Sequence, residues 1–390
     1  MSFIDDEIFN IAKITIRTLE PVKNIVPFQD ATMGPFASFG ISIITLEDED
    51  GNIGEGPVFS SYMNIMETCF FPILLHSGNI RYRELFPQLY WSIRNEGFRG
   101  QAAALLGQVD IALHDLASRR KSQPLHRLLG GKNNIVKVYG SGGGTNYSYA
   151  ELEEEIGFFL NAGIDCFKMK VGKNFGTRLQ EDVERVKFVK QLTGSKCKLA
   201  IDVNQVWKYE DVLEFMDKVA DQNIAWLEEP VHSASYDQIE RLCSALPVAI
   251  SYGESERTSR MFPTLVQLGV KHLQPVPTQI GGVNEWMEVR DLAAKNNLTF
   301  SSGGYSFYTN CLLATTQNNV MLEYLHCIMF GLEKYLLVKP ALKNGMHVLP
   351  EVSGLPVRIN WDYCTSEKKI IKSHFWNRQN VKKYTPLVTL

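Results

Sequence analysis

The stretch GIDCFKMKVG, residues 163–172, has the pattern of a β-strand with an unusual face. Period-two geometry puts Phe167 and Met169 on one face and Lys168 and Lys170 on the other. An ammonium group on a buried face needs an anionic partner, because burying an unpaired charge is costly. If the lysine face lies inside the fold, the partners of the lysines indicate what the protein does.

Eight strand-like segments, each followed by a segment long enough for a helix, recur in the second part of the chain. They cover residues 136–142, 166–171, 198–203, 224–230, 248–254, 271–276, 298–303 and 320–325. Strands that alternate with helices indicate βα units and a parallel sheet. Eight such units within about 200 residues favour a closed (β/α)8 barrel, the TIM-type α/β fold, over an open doubly wound sheet.

The segments before and after this region have a different pattern. Residues 1–130 contain alternating strand-like runs, a hairpin signal at 50–52 and helical stretches, which predicts a separate α+β domain. We therefore expect a capping domain at 1–130 and a barrel catalytic domain at 131–345. The remaining segment, 346–390, has a hairpin-like pattern and is too short for a third domain.

Charge, cysteine pattern and apolar runs argue against several classes of partner and location. The formal net charge is −3, which gives no reason to expect a nucleic acid or an anionic membrane as partner. Seven scattered cysteines without a CxxC pair indicate free thiols in a reducing compartment. The first ten residues do not resemble a signal peptide, and the longest apolar runs are too short to span a bilayer. The expected location is the cytoplasm.

Acidic residues stand at the ends of three successive predicted strands: Asp202, Glu228 and Glu254, with equal spacing along the chain. The carboxyl ends of barrel strands meet at one face, so these carboxylates should converge. Converging carboxylates repel one another unless a cation lies among them, and an oxygen-only ligand set favours Mg²⁺. Lys168 and Lys170 would face this site from the preceding strand.

A metal flanked by ammonium groups suits one kind of chemistry. Removing a proton next to a substrate carboxylate builds a second negative charge on it, as an enediolate, and positive charge stabilises that species. A lysine beside a cation and a second lysine has its pKa lowered, as a general base requires. A single acid at a strand end is more often a helix cap or an ion-pair partner. Five charged positions in register on consecutive strands favour the functional interpretation.

Taken together, these motifs resemble the mandelate racemase/muconate lactonizing enzyme group of the enolase superfamily. The similarity covers nearly the whole chain and rests on GQVDIALHDLASRRKSQPLHRLLGG (107–131), FKMKVG, IDVNQ, LEEP, YGES, QIGGV (279–283) and GMHVLPEVSGLPVRINWD (345–362). It implies that the C-terminal segment returns to complete the capping domain. It also implies a small-molecule carboxylate substrate and a homo-oligomer.

The resemblance implies roles for individual residues. Asp202, Glu228 and Glu254 would bind Mg²⁺. Lys170 would be the catalytic base, and Lys168 would help to bind the substrate carboxylate and to tune its neighbour.

Three further residues and two loops are given roles by the same resemblance. Glu323 matches an acid that donates to the enediolate oxygen in some members, although a structural ion pair is an equal alternative. Asn204 and Glu229 would orient the metal ligands. Capping loops at 22–35 and 50–60 would contact the distal part of the substrate.

The departures from the family pattern bear on the reaction. Val276 and Gly303 stand where other members place the acid or base opposite Lys170. Tyr305 or Tyr308 could supply a replacement acid, and a packing role for both is an equal alternative. Racemisation needs a base on each face of the carbon. We therefore expect a lyase that dehydrates a hydroxy acid, such as an acid sugar. The alternatives are a racemase, epimerase or cycloisomerase on the same scaffold, or an inactive metal-binding homologue.

Overall fold

The computed structural model describes residues 2–316 and 320–384 of the 390-residue chain. The first part forms a mixed unit of sheets and helices. Its strands are β1 Ile8–Phe9, β2 Ile11–Leu19, β3 Val22–Phe28, β4 Phe36–Phe39, β5 Ser42–Asp48, β6 Ile53–Val58 and β7 Ile80–Arg81. Its helices are α1 Met63–Ile65, α2 Phe71–His76, α3 Tyr82–Ser92, α4 Gln101–Arg120 and α5 Leu125–Leu128. The predicted hairpin joins β5 to β6, which pair antiparallel.

Eight parallel strands then close into a barrel. They are β8 Ile135–Gly142, β9 Cys166–Lys170, β10 Lys198–Asp202, β11 Ile224–Glu228, β12 Ala249–Tyr252, β13 His272–Leu273, β14 Thr299–Ser302 and β15 Val320–Leu325. Closure comes from β15, which pairs in parallel with β8. Every strand lies inside one of the predicted segments, apart from the first residue of β8, so the predicted (β/α)8 fold class is confirmed.

Helices alternate with these strands along the chain. They are α6 Tyr149–Asn161, α7 Leu179–Thr193, α8 Tyr209–Lys218, α9 Tyr236–Ala245, α10 Phe262–Gln267, α11 Val283–Lys295, α12 Ser306–Leu313 and α13 His326–Leu332. The apolar face of β9 packs against this helical layer: Phe167, Met169 and Val171 are buried in the main hydrophobic core. Lys168 lies on the other face, inside the barrel, where its ammonium group is 5.8 Å from the ring centre of Tyr139.

The last part of the chain contacts both units. It contains β16 Leu336–Val338, β17 Ala341–Lys343, β18 Met346–Val348, β19 Arg358–Ile359, α14 Trp361–Ser366 and β20 Ile370–Asn377. Strand β18 pairs antiparallel with the barrel strand β8, whereas β20 pairs antiparallel with β2. The exact domain boundaries stay predictions. Within the described ranges, no helix is both long enough and apolar enough to cross a bilayer.

Helix α4 joins the N-terminal unit to the barrel through buried polar side chains. The Gln108 amide accepts a hydrogen bond from the Phe59 backbone N–H and donates one to the Thr278 carbonyl, both at 2.8 Å. The Asp110 carboxylate accepts the backbone N–H of Val283 at 2.8 Å. Buried polar groups of this kind are tolerated because each has a partner. They fix the N-terminal unit over the loop that follows β13.

The close approach of α4 to the barrel gives a stability prediction. A methyl group added at Gly107 would overlap the backbone carbonyl oxygen of Ile280. We expect Gly107→Ala to lower the free energy of unfolding by about 1–3 kcal/mol, the usual cost of overpacking. This loss should occur although alanine favours helices over glycine by about 1 kcal/mol. Urea denaturation followed by circular dichroism measures the change.

Gly157 on α6 is the matched control, because an added methyl group there meets no atom within 4 Å. Gly157→Ala should leave stability unchanged or raise it. Equal effects of the two substitutions would contradict the packing argument.

Candidate active site

Three carboxylates converge at the carboxyl ends of neighbouring barrel strands. Asp202 ends β10 and pairs in register with Glu228, which ends β11. Glu254 follows two residues after the end of β12. One oxygen from each side chain lies within 4.8 Å of the others, and Asp202 and Glu228 are buried. The strand-end prediction for these three residues therefore matches the geometry.

The electrostatics of the cluster fit a bound cation. Burial, reinforced by the neighbouring carboxylates, raises the pKa of Glu228 and of Glu254 to about 8 each. Burial also opposes ionisation of Asp202, but Lys170 and Lys168 hold the pKa of this carboxyl below its usual range. Buried, mutually repelling carboxylates with oxygen donors suit a hard divalent cation such as Mg²⁺. The residues present are thus arranged to hold one.

Lys168 is the more heavily paired of the two lysines. Its Nζ lies 2.6 Å from Glu228, 2.9 Å from Glu323 and 3.4 Å from Asp202, inside the barrel. Burial alone would lower the pKa of Lys168, but Glu228 and Glu323 raise it well above its ordinary value. An ammonium group with three acidic partners keeps its proton, so Lys168 acts as a fixed positive charge.

Lys170 has fewer partners and sits closer to solvent. Within the described ranges, Asp202 is the one carboxylate within 4.0 Å of its Nζ. Burial and the neighbouring Lys168 both lower the pKa of Lys170, yet the charge of Asp202 raises it above the ordinary value. The sequence predicts a lowered pKa for Lys170, but the charges of the chain alone raise it. Lys170 is nevertheless less occupied than Lys168, because one carboxylate pairs with its ammonium group and three pair with that of Lys168.

Glu323, on β15, occupies the space that a side chain at position 303 would need. Its Oε1 pairs with Lys168 at 2.9 Å, and its Oε2 would lie much closer to a Cβ added at Gly303 than atoms can pack. Burial raises the pKa of Glu323, but the charges of Lys168 and Lys170 together lower it by more, so the net shift of the pKa is downward. The glycine at 303 thus has a physical reason: it leaves room for the Glu323 carboxylate.

The two tyrosines considered as substitutes for the missing acid contact the N-terminal unit. The Tyr305 hydroxyl donates to the Gly40 carbonyl at 3.0 Å. Tyr308 is buried, and its pKa is raised by burial and by the nearby carboxylates of Glu55 and Asp115. The hydroxyl of Tyr305 is thus engaged by a backbone carbonyl of the N-terminal unit, and the acidic neighbours of Tyr308 belong to β6 and α4.

The two residues predicted to orient the ligands lie beside them. Asn204 donates its backbone N–H to Asp202 Oδ1 at 2.9 Å, but its side-chain oxygen is buried without a partner. Glu229 follows Glu228 directly, and its carboxylate accepts hydrogen bonds from Gln205 and Ser255. Both residues adopt positive φ, 48° and 41°, which is uncommon for residues with a side chain. Their role as orienting residues stays a prediction.

Sequence reasoning missed three residues that bond Glu228 or its chain neighbour Glu229. Trp226 donates its indole N–H to the second oxygen of Glu228 at 3.2 Å, and Gln205 and Ser255 bond Glu229. Period-two alternation could have found Trp226, because it lies two residues before Glu228 on the same strand. Gln205 and Ser255 end the motifs IDVNQ and YGES, but the motifs by themselves do not show that these two side chains bond Glu229.

The loop predicted at 22–35 reaches over the barrel. Thr145 in the loop after β8 donates its backbone N–H to the Gln29 carbonyl at 2.7 Å, and its hydroxyl donates to the Asp30 carbonyl at 2.7 Å. Phe175 in the loop after β9 donates its N–H to the Ala31 carbonyl at 3.2 Å. This part of the N-terminal unit is therefore fixed beside the strand ends that carry the charged cluster.

Comparison with known proteins agrees with this geometry. Residues 151–363 match the family described as Enolase C-terminal domain-like. The chain belongs to the enolase superfamily. The resemblance to its mandelate racemase/muconate lactonizing enzyme group is confirmed.

Relatives of this enolase-superfamily chain catalyse several reactions. It is 27% identical over 340 residues to the 3,6-anhydro-alpha-L-galactonate cycloisomerase of Streptomyces coelicolor, covering 85% of this chain and 92% of the relative. It is 27% identical over 323 residues to the arabinonate dehydratase of Saccharolobus solfataricus, covering 80% and 86%. A racemase structure from Streptomyces coelicolor A3(2) with bound magnesium superposes with a TM-score of 0.84 at 25% identity, covering 91% and 99%. The chain is thus an enzyme of this superfamily.

The carboxylate cluster predicts that a divalent cation stabilises the fold. In chelator-treated protein, Mg²⁺ at a hundredfold excess over its Kd should add about 2.7 kcal/mol to the free energy of unfolding. Glu254→Gln removes one charge and one ligand oxygen, so most of this gain should disappear. Differential scanning calorimetry with and without Mg²⁺ measures it.

Glu256→Gln is the control, because Glu256 is near in sequence but is not one of the three converging carboxylates. It should keep the full stabilisation. Loss of the gain in both variants would indicate a general charge effect.

The contact between Gly303 and Glu323 predicts strong coupling. Gly303→Ala should destabilise the protein by about 1–3 kcal/mol, because the methyl group overlaps the Glu323 carboxylate. In a Glu323→Ala background the same substitution should cost less than half as much. A double-mutant cycle measured by thermal unfolding gives the coupling energy, and additive effects would show that the two side chains do not compete for space.

Proposed function

We infer that this protein is a Mg²⁺-dependent lyase that removes the α-proton of a small hydroxy-carboxylate, of the acid-sugar class, and eliminates water. One observation carries this proposal. A lysine amine with a single carboxylate partner borders a cluster of three converging carboxylates, while Val276 and Gly303 provide no base on the side where relatives place one.

The carboxylates of Asp202, Glu228 and Glu254 are the groups that would hold the metal. Magnesium, when bound there, supplies positive charge for the second negative charge that develops on the substrate carboxylate. The chain itself adds Lys168, whose ammonium group is held by three acidic partners inside the barrel. A fixed charge of this kind needs little reorganisation during the reaction, which is the most effective form of electrostatic stabilisation.

Lys170 is the group that accepts the proton. Its Nζ lies at the mouth side of β9, with Asp202 as its acidic neighbour, and its side chain is 9% exposed against 1% for Lys168. The base must reach the substrate carbon, and the more accessible amine is the one that can. Glu323 is ion-paired with Lys168, and its lowered pKa supports a role in positioning that lysine over a role as proton donor.

The reaction class follows from the number of bases. Inverting a carbon requires a second acid or base on the opposite face, whereas elimination of water or ring closure needs only one base at the α-carbon. The side chain of Val276 cannot transfer a proton, and Gly303 has none. Dehydration is therefore favoured over racemisation or epimerisation. An inactive homologue is disfavoured because the charged cluster is complete.

Cycloisomerisation is the second candidate. It also needs only one base, and the similarity to the 3,6-anhydro-alpha-L-galactonate cycloisomerase covers 85% of the chain. The two reactions differ in their products, because dehydration loses one water and cycloisomerisation conserves mass.

The remaining expectations concern partners and location. All seven cysteines are free thiols, which supports a reducing compartment such as the cytoplasm. A small-molecule carboxylate is the proposed substrate, and neither a nucleic acid nor a membrane is a proposed partner. A homo-oligomer is expected from the family resemblance.

Removing the base should stop proton transfer. Lys170→Ala should slow exchange of the substrate α-proton with deuterated water by about 10²–10⁴-fold, the usual contribution of a general base. Proton NMR of substrate incubated with enzyme and Mg²⁺ measures the exchange. Lys173→Ala is the control, because Lys173 pairs with Glu181 near the surface. Exchange that persists in the Lys170 variant would assign the base to another residue.

The product identifies the reaction. A set of acid sugars incubated with the enzyme and Mg²⁺ should yield products that have lost one water, detected by mass spectrometry. A product of unchanged mass that contains a new ring would favour cycloisomerisation, and an epimer of the substrate would contradict the one-base assignment.

A further inference from the structure

The Gln205 side chain links three of the loops around the carboxylate cluster. It lies three residues after Asp202, in the loop that follows β10. Its Nε2 donates to Glu229 Oε2 at 3.0 Å and to Ser255 Oγ at 2.7 Å. Its Oε1 accepts the backbone N–H of Ser233 at 2.8 Å. One amide therefore joins the loops that follow β10, β11 and β12.

The residues that Gln205 binds are the chain neighbours of two metal-ligand candidates. Glu229 follows Glu228, and Ser255 follows Glu254. Ser255 Oγ also donates to Glu229 Oε1 at 2.8 Å, which closes a ring of hydrogen bonds. The backbone N–H of Gln205 donates to the Glu229 carbonyl at 2.7 Å. The spacing of the three carboxylates is thus tied to this one side chain.

The backbone around these hydrogen bonds is strained, which indicates that the bonds hold it in place. Gln205, Asn204 and Glu229 adopt φ values of 69°, 48° and 41°, in the left-handed region that disfavours side chains. Residues keep such conformations only where the surrounding contacts over-determine them. The hydrogen bonds of the Gln205 amide are contacts of this kind, because they hold two strained turns against each other.

A fixed spacing of carboxylates has a consequence for metal choice. Mg²⁺ requires ligand oxygens near 2.0–2.1 Å in an octahedral arrangement, whereas Ca²⁺ accepts about 2.3–2.6 Å and variable geometry. A rigid site therefore discriminates between the two ions, and a loose site does not. We propose that Gln205 is a positioning residue that fixes the three-carboxylate site and thereby favours Mg²⁺ over Ca²⁺. This inference rests on the proposed function.

The test compares two substitutions that remove an amide but conserve length. Gln205→Met breaks the ring, and Gln108→Met is the matched control, because Gln108 is a buried glutamine that also bonds two other segments. Isothermal titration calorimetry on chelator-treated protein, without substrate, gives the Kd for Mg²⁺ and for Ca²⁺. For Gln205→Met we expect the Mg²⁺ Kd to rise about 10–100-fold, as for loss of residues that orient metal ligands. The Kd for Ca²⁺ should rise less, so the preference of the site for Mg²⁺ over Ca²⁺ decreases.

Gln108→Met should lower the midpoint of thermal unfolding while both dissociation constants stay within about twofold, because that glutamine orients no ligand. If Gln205→Met does not fold, Ser255→Ala takes its place, since it removes two links of the ring and keeps the rest. It should shift the Mg²⁺ constant in the same direction by a smaller factor.

Two results would overturn the inference alone. One is an unchanged Mg²⁺ constant in the Gln205 variant. The other is an equal loss for Mg²⁺ and Ca²⁺, which would mark a general structural role. If the unaltered protein binds no Mg²⁺ at all, the proposed function fails together with this inference.

Discussion

The repulsion among three converging carboxylates, two of them buried, is the constraint on which the rest of the site depends. Asp202, Glu228 and Glu254 bring oxygens within 4.8 Å of one another, where water screens their charges poorly. Such an arrangement is stable only with positive charge nearby. The chain supplies two ammonium groups from β9, and the three carboxylates offer converging oxygen ligands for a divalent cation. The parallel barrel makes this convergence possible, because all its strands end at one face.

The two lysines of β9 pair with different numbers of carboxylates. Lys168 has three carboxylate partners and Lys170 has one, although the two are separated by a single residue. The difference arises from depth in the barrel: Lys168 points into the interior layer, and Lys170 lies one pleat nearer the mouth. Two side chains of the same type therefore have different surroundings, and this difference supports the proposal that Lys168 is a permanent charge and Lys170 a base. Environment, and not residue type, separates them.

Gly303 and Glu323 depend on each other for space. Gly303 has no side chain, and the Glu323 carboxylate fills the space that one would take. The same carboxylate holds Lys168. A methyl group added at position 303 would therefore displace this carboxylate. The absence of a side chain at position 303 and the position of the Glu323 carboxylate are thus structurally coupled.

Local patterns in the sequence determined the barrel strands, the inward face of the lysines and the three carboxylates. These features depend on period-two alternation and on strand ends, which are properties of short segments. The tertiary structure alone decided the upward pKa shift of Lys170, the bond from Tyr305 to the Gly40 carbonyl and the ring around Gln205. Each depends on groups brought together from distant parts of the chain, through loops whose left-handed turns no local pattern specifies. Side-chain partners across loops are set by the closed fold, so the sequence predicted the charged cluster but not the contacts that orient it.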